Sequence, residues 1–178
     1  MTALFEKIIQ GGDKLRIRKT IGKNAFEGCM ALESISIPES VTLIDEWAFA
    51  SCIALKSIAI PEGVTQINDY TFSNCSALTE IAWHNKLTDI GDFAFSSCTS
   101  LRGFAFVTGL KTIGNSAFSS CTSLGALTIP ENVESIGSYA FAYCGDKMTY
   151  INIENPSVKI GDYAFTATNG IETAYIPA

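Results

Sequence analysis

The feature that most constrains this chain is a segment of 23 residues that recurs seven times with little change. The stretch "IGDFAFSSCTSLRGFAF" at residues 90–106 is followed at residue 113 by "IGNSAFSSCTSLGALTI". Since no single copy can bury its apolar side alone, constant phase over seven copies predicts a stack of like units. Phenylalanines mark the period, 23 residues apart five times and then 24: Phe26, Phe49, Phe72, Phe95, Phe118, Phe141 and Phe165.

Each copy places the same residue types in the same order. Two alternating isoleucines, such as Ile35 and Ile37, predict a strand with one buried face, and a proline such as Pro38 ends it. Phenylalanine and cysteine three residues apart predict one face of a short helical turn. The seventh copy has Thr168 in the place of the cysteine, and the other six carry Cys29, Cys52, Cys75, Cys98, Cys121 and Cys144.

Two neighbouring columns of residues precede the phenylalanines. The first holds glycine, aspartate or asparagine, which tolerate a positive φ, so we expect a left-handed turn there. Its members are Gly22, Asp45, Asn68, Gly91, Gly114, Gly137 and Gly161. The second is rich in residues that cap helix N-termini, and it comprises Lys23, Glu46, Asp69, Asp92, Asn115, Ser138 and Asp162. Together they predict a turn that leads into a short helix.

The string I-G-x-x-A-F-x-x-C-x-x-L-x-x-I-x-I-P, which recurs over about residues 21–178, resembles the BspA-like class of leucine-rich repeat. The resemblance implies an α/β repeat fold, a right-handed leucine-rich-repeat solenoid of about seven coils. Its parallel β-sheet would line the concave face, with short helical turns opposite. Residues 1–20 are expected to form an N-terminal cap, because four apolar residues there have helical spacing: Leu4, Phe5, Ile8 and Ile9.

Two central copies depart from the pattern. His84 and Val107 stand where proline is expected, and Trp83 and Phe106 enlarge two core positions. We therefore expect the central coils to pack or curve differently from the others. His84 is the single histidine of the chain. No motif fixes a nucleophile beside it, so a structural role is favoured over that of a catalytic base.

The cysteines are expected to be free, buried packing residues. In a ladder of coils their Cβ atoms stay about 4.8 Å apart, beyond the usual separation in a disulfide, although disulfides remain the alternative. The sequence has no C-x-x-C pair for zinc, no phosphate, dinucleotide or calcium motif and no serine elbow. It therefore predicts no enzyme activity, no metal and no cofactor.

The distribution of charge restricts the partners. The net charge is −6; residues 1–23 hold six basic and two acidic side chains, and the remainder holds six basic and sixteen acidic ones. Because an acidic body repels phosphate backbones, nucleic-acid binding is not expected. The apolar runs are too short to span a membrane. Residues 1–20 also lack the apolar segment of a secretory signal.

Two columns of side chains are candidates for a binding surface. The first contains rings that are expected to half-bury over the phenylalanines, with an exposed stripe for glycan or protein as the alternative: Trp47, Tyr70, Phe93, Tyr139 and Tyr163. The second lies on the strands, where outward side chains are small until two tyrosines occur in the last copies. Since tyrosine is enriched at binding hot spots, the candidate partner-binding residues are Glu80, Tyr150, Asn152, Thr173 and Tyr175.

The resemblance implies adhesion or host-protein binding at a bacterial or protist surface. The sequence is therefore interpreted as a non-catalytic module that binds a protein or glycan, and the alternative function is a structural spacer without a ligand. The expected location is extracellular or at the cell surface, with the cytoplasm as the alternative. The last copy has no polar cap after Ile176, which predicts that the chain continues or that two copies meet through their C-terminal coils.

Overall fold

The chain winds into a solenoid of about seven coils in a computed structural model that describes residues 19–102 and 104–177. All pairs of neighbouring strands are parallel, as the repeat predicts. The strands in chain order are β1 (Thr20–Ile21), β2 (Leu43–Ile44), β3 (Ser57–Ala59), β4 (Gln66–Ile67), β5 (Glu80–Ala82), β6 (Asp89–Ile90), β7 (Thr112–Ile113), β8 (Leu127–Ile129), β9 (Ser135–Ile136), β10 (Tyr150–Ile153), β11 (Lys159–Ile160) and β12 (Thr173–Tyr175).

The strands belong to two ladders. The short-strand ladder consists of the two-residue strands β1, β2, β4, β6, β7, β9 and β11 and is interrupted between β2 and β4. The long-strand ladder consists of β3, β5, β8, β10 and β12 and is interrupted between β5 and β8. Equivalent residues of successive copies pair, so that Ile67 lies opposite Ile90 and Ile90 lies opposite Ile113. The long-strand ladder is the sheet predicted from the alternating isoleucines, although Ile35 and Ile37 themselves belong to no strand. The 23-residue period is therefore the length of one coil.

The marker phenylalanines form the centre of the core. Five of them, Phe49, Phe72, Phe95, Phe118 and Phe141, have no exposed surface. Their rings stack on one another and on the two terminal phenylalanines with centroids 5.1–5.5 Å apart and planes within 10° of parallel. Burial of one such side chain stabilises the fold by about 2–3 kcal/mol. Each interior ring is held between the rings of both neighbouring coils.

The predicted helical turns are wrong, because no helix occurs among the described residues. In the second coil, Ala48 N–H donates to Asp45 O at 3.2 Å, a bond within one tight turn. The intervening N–H of Trp47 instead donates to Asp69 O of the next coil at 3.1 Å. Since every second N–H is used between coils, the segment cannot form the continuous internal bonds of an α-helix. It is a chain of consecutive turns.

The predicted position of the left-handed residues is also wrong. Positive φ occurs two residues and again six residues after the glycine column, as at Trp47 (φ 59°) and Ser51 (φ 58°). The occurrence of glycine in this column is explained by close packing between coils and not by a positive φ. A Cβ at Gly91 would lie 2.8 Å from the backbone N of Asp69 and 2.9 Å from the carbonyl C of Asn68. Gly91 therefore has no room for a side chain, whereas Asp45 and Asn68 carry one at the same position of their coils.

The polar column after the glycines does not cap helices. Asp69 Oδ1 accepts the backbone N–H of Asp92 at 2.8 Å, and Asp92 Oδ1 accepts that of Asn115 at 2.7 Å. Asn115 Oδ1 continues the series by accepting the N–H of Ser138 at 2.9 Å. Each of these side chains thus accepts a hydrogen bond from a backbone N–H of the next coil. Backbone N–H groups require such a partner.

The central coils do pack differently from the others, as Trp83 and Phe106 predict. The long-strand ladder is interrupted between β5 and β8, where residues 104–106 form no strand. The indole Nε1–H of Trp83 instead donates to Ala105 O at 2.9 Å and joins the two coils. Enlarged side chains at core positions therefore replace backbone pairing in this region.

The predicted N-terminal cap, residues 1–20, lies outside the described residues except for its last two positions. Of these, Thr20 belongs to β1 and lies opposite Leu43. Within residues 19–102 and 104–177, no helix has the length and apolar character that crossing a bilayer requires.

Candidate binding surface

Four of the five candidate residues are brought together on β10 and β12. Tyr150 lies opposite Thr173, and Asn152 lies opposite Tyr175. The side chains of Tyr150 and Tyr175 are 39% and 55% exposed, whereas Ile151 between the outward positions is buried. The alternation of the strand places the polar and aromatic side chains on one face. We call Tyr150, Asn152, Thr173 and Tyr175 the tyrosine patch.

Glu80 is not part of the tyrosine patch. It lies on β5 opposite Ser57, three coils before Tyr150, which corresponds to about 14 Å along the stack. Glu80 instead lines a depression of about 600 Å³ between β5 and the interrupted coil, together with Trp83, Phe104 and Phe106 among others. The sequence places Glu80 three copies before Tyr150 in the same outward column, but it does not show the depression beside Glu80.

Three rings pack together along that depression. The Trp83 and Phe104 centroids lie 4.8 Å apart with nearly perpendicular planes, and those of Phe104 and Phe106 lie 4.9 Å apart in the same manner. Such edge-to-face contacts are favourable for aromatic pairs. Because the rings fill the space between one another, they form a wall of the depression and no open cage. Phe104 was missed by the sequence analysis, although it stands in a column that otherwise carries aliphatic residues.

The aromatic column before the phenylalanines is stacked face to face. Ring centroids lie 4.0 Å apart for Trp47 and Tyr70, 4.7 Å for Tyr70 and Phe93, and 5.1 Å for Tyr139 and Tyr163. The first three rings are half-buried, as expected, whereas Tyr139 and Tyr163 are 39% and 64% exposed. Since stacking covers both faces of Tyr70, a sugar cannot lie flat on that ring.

The cysteines are free, and five of the six are buried. Each buried thiol donates to the carbonyl of the phenylalanine in the preceding coil, as Cys98 Sγ does to Phe72 O at 3.2 Å. Burial raises the pKa of the Cys52 thiol to about 11 and that of Cys144 to about 12. Burial also raises the pKa of Cys98 and Cys121 well above the ordinary value. Protonated and inaccessible, these thiols are packing groups and hydrogen-bond donors.

Both ring nitrogens of His84 are engaged in local structure. Nε2 donates to Pro61 O at 2.8 Å, and Nδ1 accepts the backbone N–H of Lys86 at 3.2 Å. This arrangement favours the structural role expected for the residue. Within the part of the chain that the structure describes, no cluster of three histidine, cysteine, aspartate or glutamate side chains is suited to hold a metal ion.

Parallel coils of constant length, with columns of phenylalanine, cysteine, leucine and isoleucine, define a leucine-rich-repeat solenoid. The chain belongs to the family described as BspA type leucine rich repeat region, whose model matches residues 19–146 and 104–178 in six copies. Proteins of this repeat family are generally non-enzymatic.

Solved structures of bacterial leucine-rich-repeat proteins are similar to this chain. A leucine rich cell surface protein from Faecalibacterium prausnitzii is 28% identical with a TM-score of 0.73, and the match covers 88% of this chain and 42% of that protein. The leucine rich repeat protein TpLRR of T. pallidum is 26% identical with a TM-score of 0.67, over 81% of this chain and 73% of that one.

A third similar structure, from Bacteroides ovatus, is 27% identical with a TM-score of 0.56, over 87% of this chain and 58% of that one. This chain thus spans less than two thirds of the Faecalibacterium and Bacteroides proteins. A comparison with curated protein sequences finds no match.

Proposed function

We propose that this chain is a non-catalytic recognition module of a cell-surface protein and that it binds a protein or glycan through the tyrosine patch. The observation that carries the proposal is the exposure of Tyr150 and Tyr175 on two paired strands, where Ile151 between Tyr150 and Asn152 is buried. Tyrosine rings exposed side by side contribute contact area and a hydroxyl each, which is why they are frequent at binding hot spots.

The ladder holds these side chains ready for a ligand. β10 pairs with β8 on one side and with β12 on the other, so its backbone is fixed before binding. A surface that is ordered beforehand loses less conformational entropy when a partner binds. Asn152 and Thr173 add donors and acceptors that suit either a peptide or the hydroxyls of a glycan. Glu80 would take part only with a ligand that extends across three further coils.

Surface location and adhesion are proposed from the relatives. The similar protein of Faecalibacterium prausnitzii is a leucine rich cell surface protein, and we extend that location to this chain. The acidic body, with sixteen acidic and six basic side chains after residue 23, disfavours nucleic acid as the ligand. A protein or glycan partner remains.

A structural spacer is the second candidate function. It is favoured by the small outward side chains of β3 and β5, such as Ser57, Ala59 and Ala82, which offer little area to a partner. A spacer needs a stiff stack and no ligand, so it makes no demand on the tyrosine patch. The two functions therefore differ in what happens when Tyr150 and Tyr175 are removed.

The proposal is tested by probing a glycan array and a panel of extracellular host proteins with the native chain. A variant with Tyr150→Ser and Tyr175→Ser should lose the binding that the native chain has. Tyr143→Ser is the matched control, because Tyr143 is 52% exposed but lies outside both ladders. Binding that survives in the double variant, or an absence of binding to either panel, would favour the spacer.

A further inference from the structure

One ring is missing from the aromatic column, and the gap has the thickness of one ring. Five coils carry an aromatic residue at this position, but the fifth coil carries Ser116 between Phe93 and Tyr139. Phe93 stacks on Tyr70 at 4.7 Å, and Tyr139 stacks on Tyr163 at 5.1 Å. Because the coils of Phe93 and Tyr139 are two spacings apart, we expect their rings to be separated by roughly 9.6 Å. A flat ring inserted midway would lie at the stacking distance from both.

The backbone does not close the gap. Ser116 has a φ of 52°, close to the 56° of Phe93 and the 58° of Tyr139. Its N–H donates to Ser138 O at 2.9 Å, just as that of Phe93 donates to Asn115 O at 2.9 Å. The coils are therefore in regular register on both sides of Ser116. The position differs from its neighbours only in the missing ring.

The adjacent side chains leave the gap open. The Asn115 amide is held by the Asp92 carboxylate, with Nδ2 at 3.2 Å from Oδ1 and 3.1 Å from Oδ2. The ring of Tyr139 is 39% exposed although Tyr163 covers one of its faces. Within the described residues, the hydroxyl of Ser116 makes no hydrogen bond, so it can bind a polar group that enters with a ring.

The charges beside the gap indicate what accompanies the ring. The residue before the aromatic position is acidic in the coil next to the gap, where it is Asp92, and in the coils of Asp69 and Asp162, which are each two coils from Ser116. None of these three carboxylates forms an ion pair with a described lysine or arginine. A partner that carries a basic residue next to the ring would be complementary to this charge. A free aromatic compound would gain only the two stacking contacts.

We propose that the gap at Ser116 binds a tyrosine or tryptophan side chain of a partner protein that is flanked by lysine or arginine. The inserted ring completes the column between Phe93 and Tyr139, and the basic neighbour lies near Asp92. The site is on the turns and not on the ladders, so it does not depend on the tyrosine patch or on the function proposed for it.

The experiment uses the full chain and two short peptides, Gly-Arg-Trp-Arg-Gly and Gly-Arg-Leu-Arg-Gly, both blocked at their ends. In NMR titrations the tryptophan peptide should show contacts from its indole protons to the rings of Phe93 and Tyr139. The leucine peptide should bind about tenfold more weakly, because it loses both stacking contacts. Equal affinity of the two peptides, or indole contacts only to other residues, would overturn the proposal.

Two variants separate filling of the gap from damage to the fold. Ser116→Tyr should weaken binding of the tryptophan peptide at least about tenfold while the melting temperature stays the same or rises, because five coils carry a ring on this backbone. Ser116→Ala, which leaves the gap open, should bind as the native chain does. A folded Ser116→Tyr variant that binds with native affinity would contradict the proposal. The indole contacts in the native chain test it independently of either variant.

Discussion

The hydroxyl of Thr168 donates to the carbonyl oxygen of Phe141 at 2.8 Å. In the five preceding coils a cysteine thiol donates to the equivalent carbonyl, as Cys121 does to Phe95 at 3.1 Å. Threonine and cysteine share a small size and a single donor, and little else. The column therefore selects a compact donor that bonds to the preceding coil, and no redox or metal chemistry is needed to account for it.

This role predicts different results for two substitutions of the same shape. Cys98→Thr keeps a donor and should change the free energy of unfolding little, whereas Cys98→Val removes the donor and should cost about 1 kcal/mol more. Urea denaturation of both variants measures the difference. Equal stabilities would mean that the thiols act through packing alone.

The buried thiols also predict a loss of stability in alkali. In the unfolded chain thiols ionise near pH 8.5, while burial raises the pKa of Cys52 to about 11 and that of Cys144 to about 12 in the native state. Above pH 8.5 the unfolded state therefore binds fewer protons, and the free energy of unfolding falls as the pH rises toward 11.

The size of this effect is at most about 1.4 kcal/mol per thiol for each pH unit. Denaturation at several pH values between 8 and about 10 would measure it. A variant with Cys98→Thr and Cys121→Thr retains every tyrosine and lysine, so it is the control for other titrations. Its slope should be shallower than that of the native chain, and an unchanged slope would exclude the thiols as the cause.

Close packing at the glycine column predicts a contrast between two glycines. Gly91→Ala would force its Cβ against the Asp69 backbone, and we expect a cost of roughly 1–3 kcal/mol. Gly22→Ala meets no atom of the described residues within 4 Å, so its effect should stay within about 0.5 kcal/mol. Thermal denaturation of the two variants checks this, and equal losses would contradict the packing explanation.

The outer edge of β12 predicts self-association. All three residues of β12 are exposed, and Ile176 beside them is 51% exposed. Among the described strands β12 pairs only with β10, and a strand with an unpaired edge is a template for pairing with another chain. The sedimentation coefficient of the native chain should rise with concentration, and Ile176→Lys should reduce that rise. A chain that stays monomeric at high concentration would show that this edge has no such partner.

The sequence was sufficient for the stack because its period is also the length of a coil. Phe95 and Phe118 are 23 residues apart, and their rings stack at 5.2 Å. The same reasoning predicted the free, buried cysteines, since equivalent side chains in a ladder point the same way. It also placed Tyr150 and Tyr175 in two different outward columns of the strands, although only the structure could place Glu80 beside a separate depression.

The turns could not be predicted, because their residue types have more than one physical cause. Glycine indicates either positive φ or close approach, and the spacing of Phe49 and Cys52 fits a helical turn as well as two successive tight turns. Positive φ at Trp47 is contrary to the ordinary preference of large side chains. The hydrogen bond from Trp47 N–H to Asp69 O fixes the backbone conformation of this turn. It depends on a residue 22 positions away in the sequence.

The stacking of each coil between two neighbours is tested most directly by comparing Phe95→Ala with Phe165→Ala. Phe95 is fully buried between Phe72 and Phe118, whereas Phe165 is partly exposed and stacks on Phe141. In chemical denaturation Phe95→Ala should cost about 3–5 kcal/mol, and Phe165→Ala should cost clearly less, because coils of a solenoid are stabilised by their neighbours. Equal losses, or a larger loss for Phe165→Ala, would contradict this order of stacking.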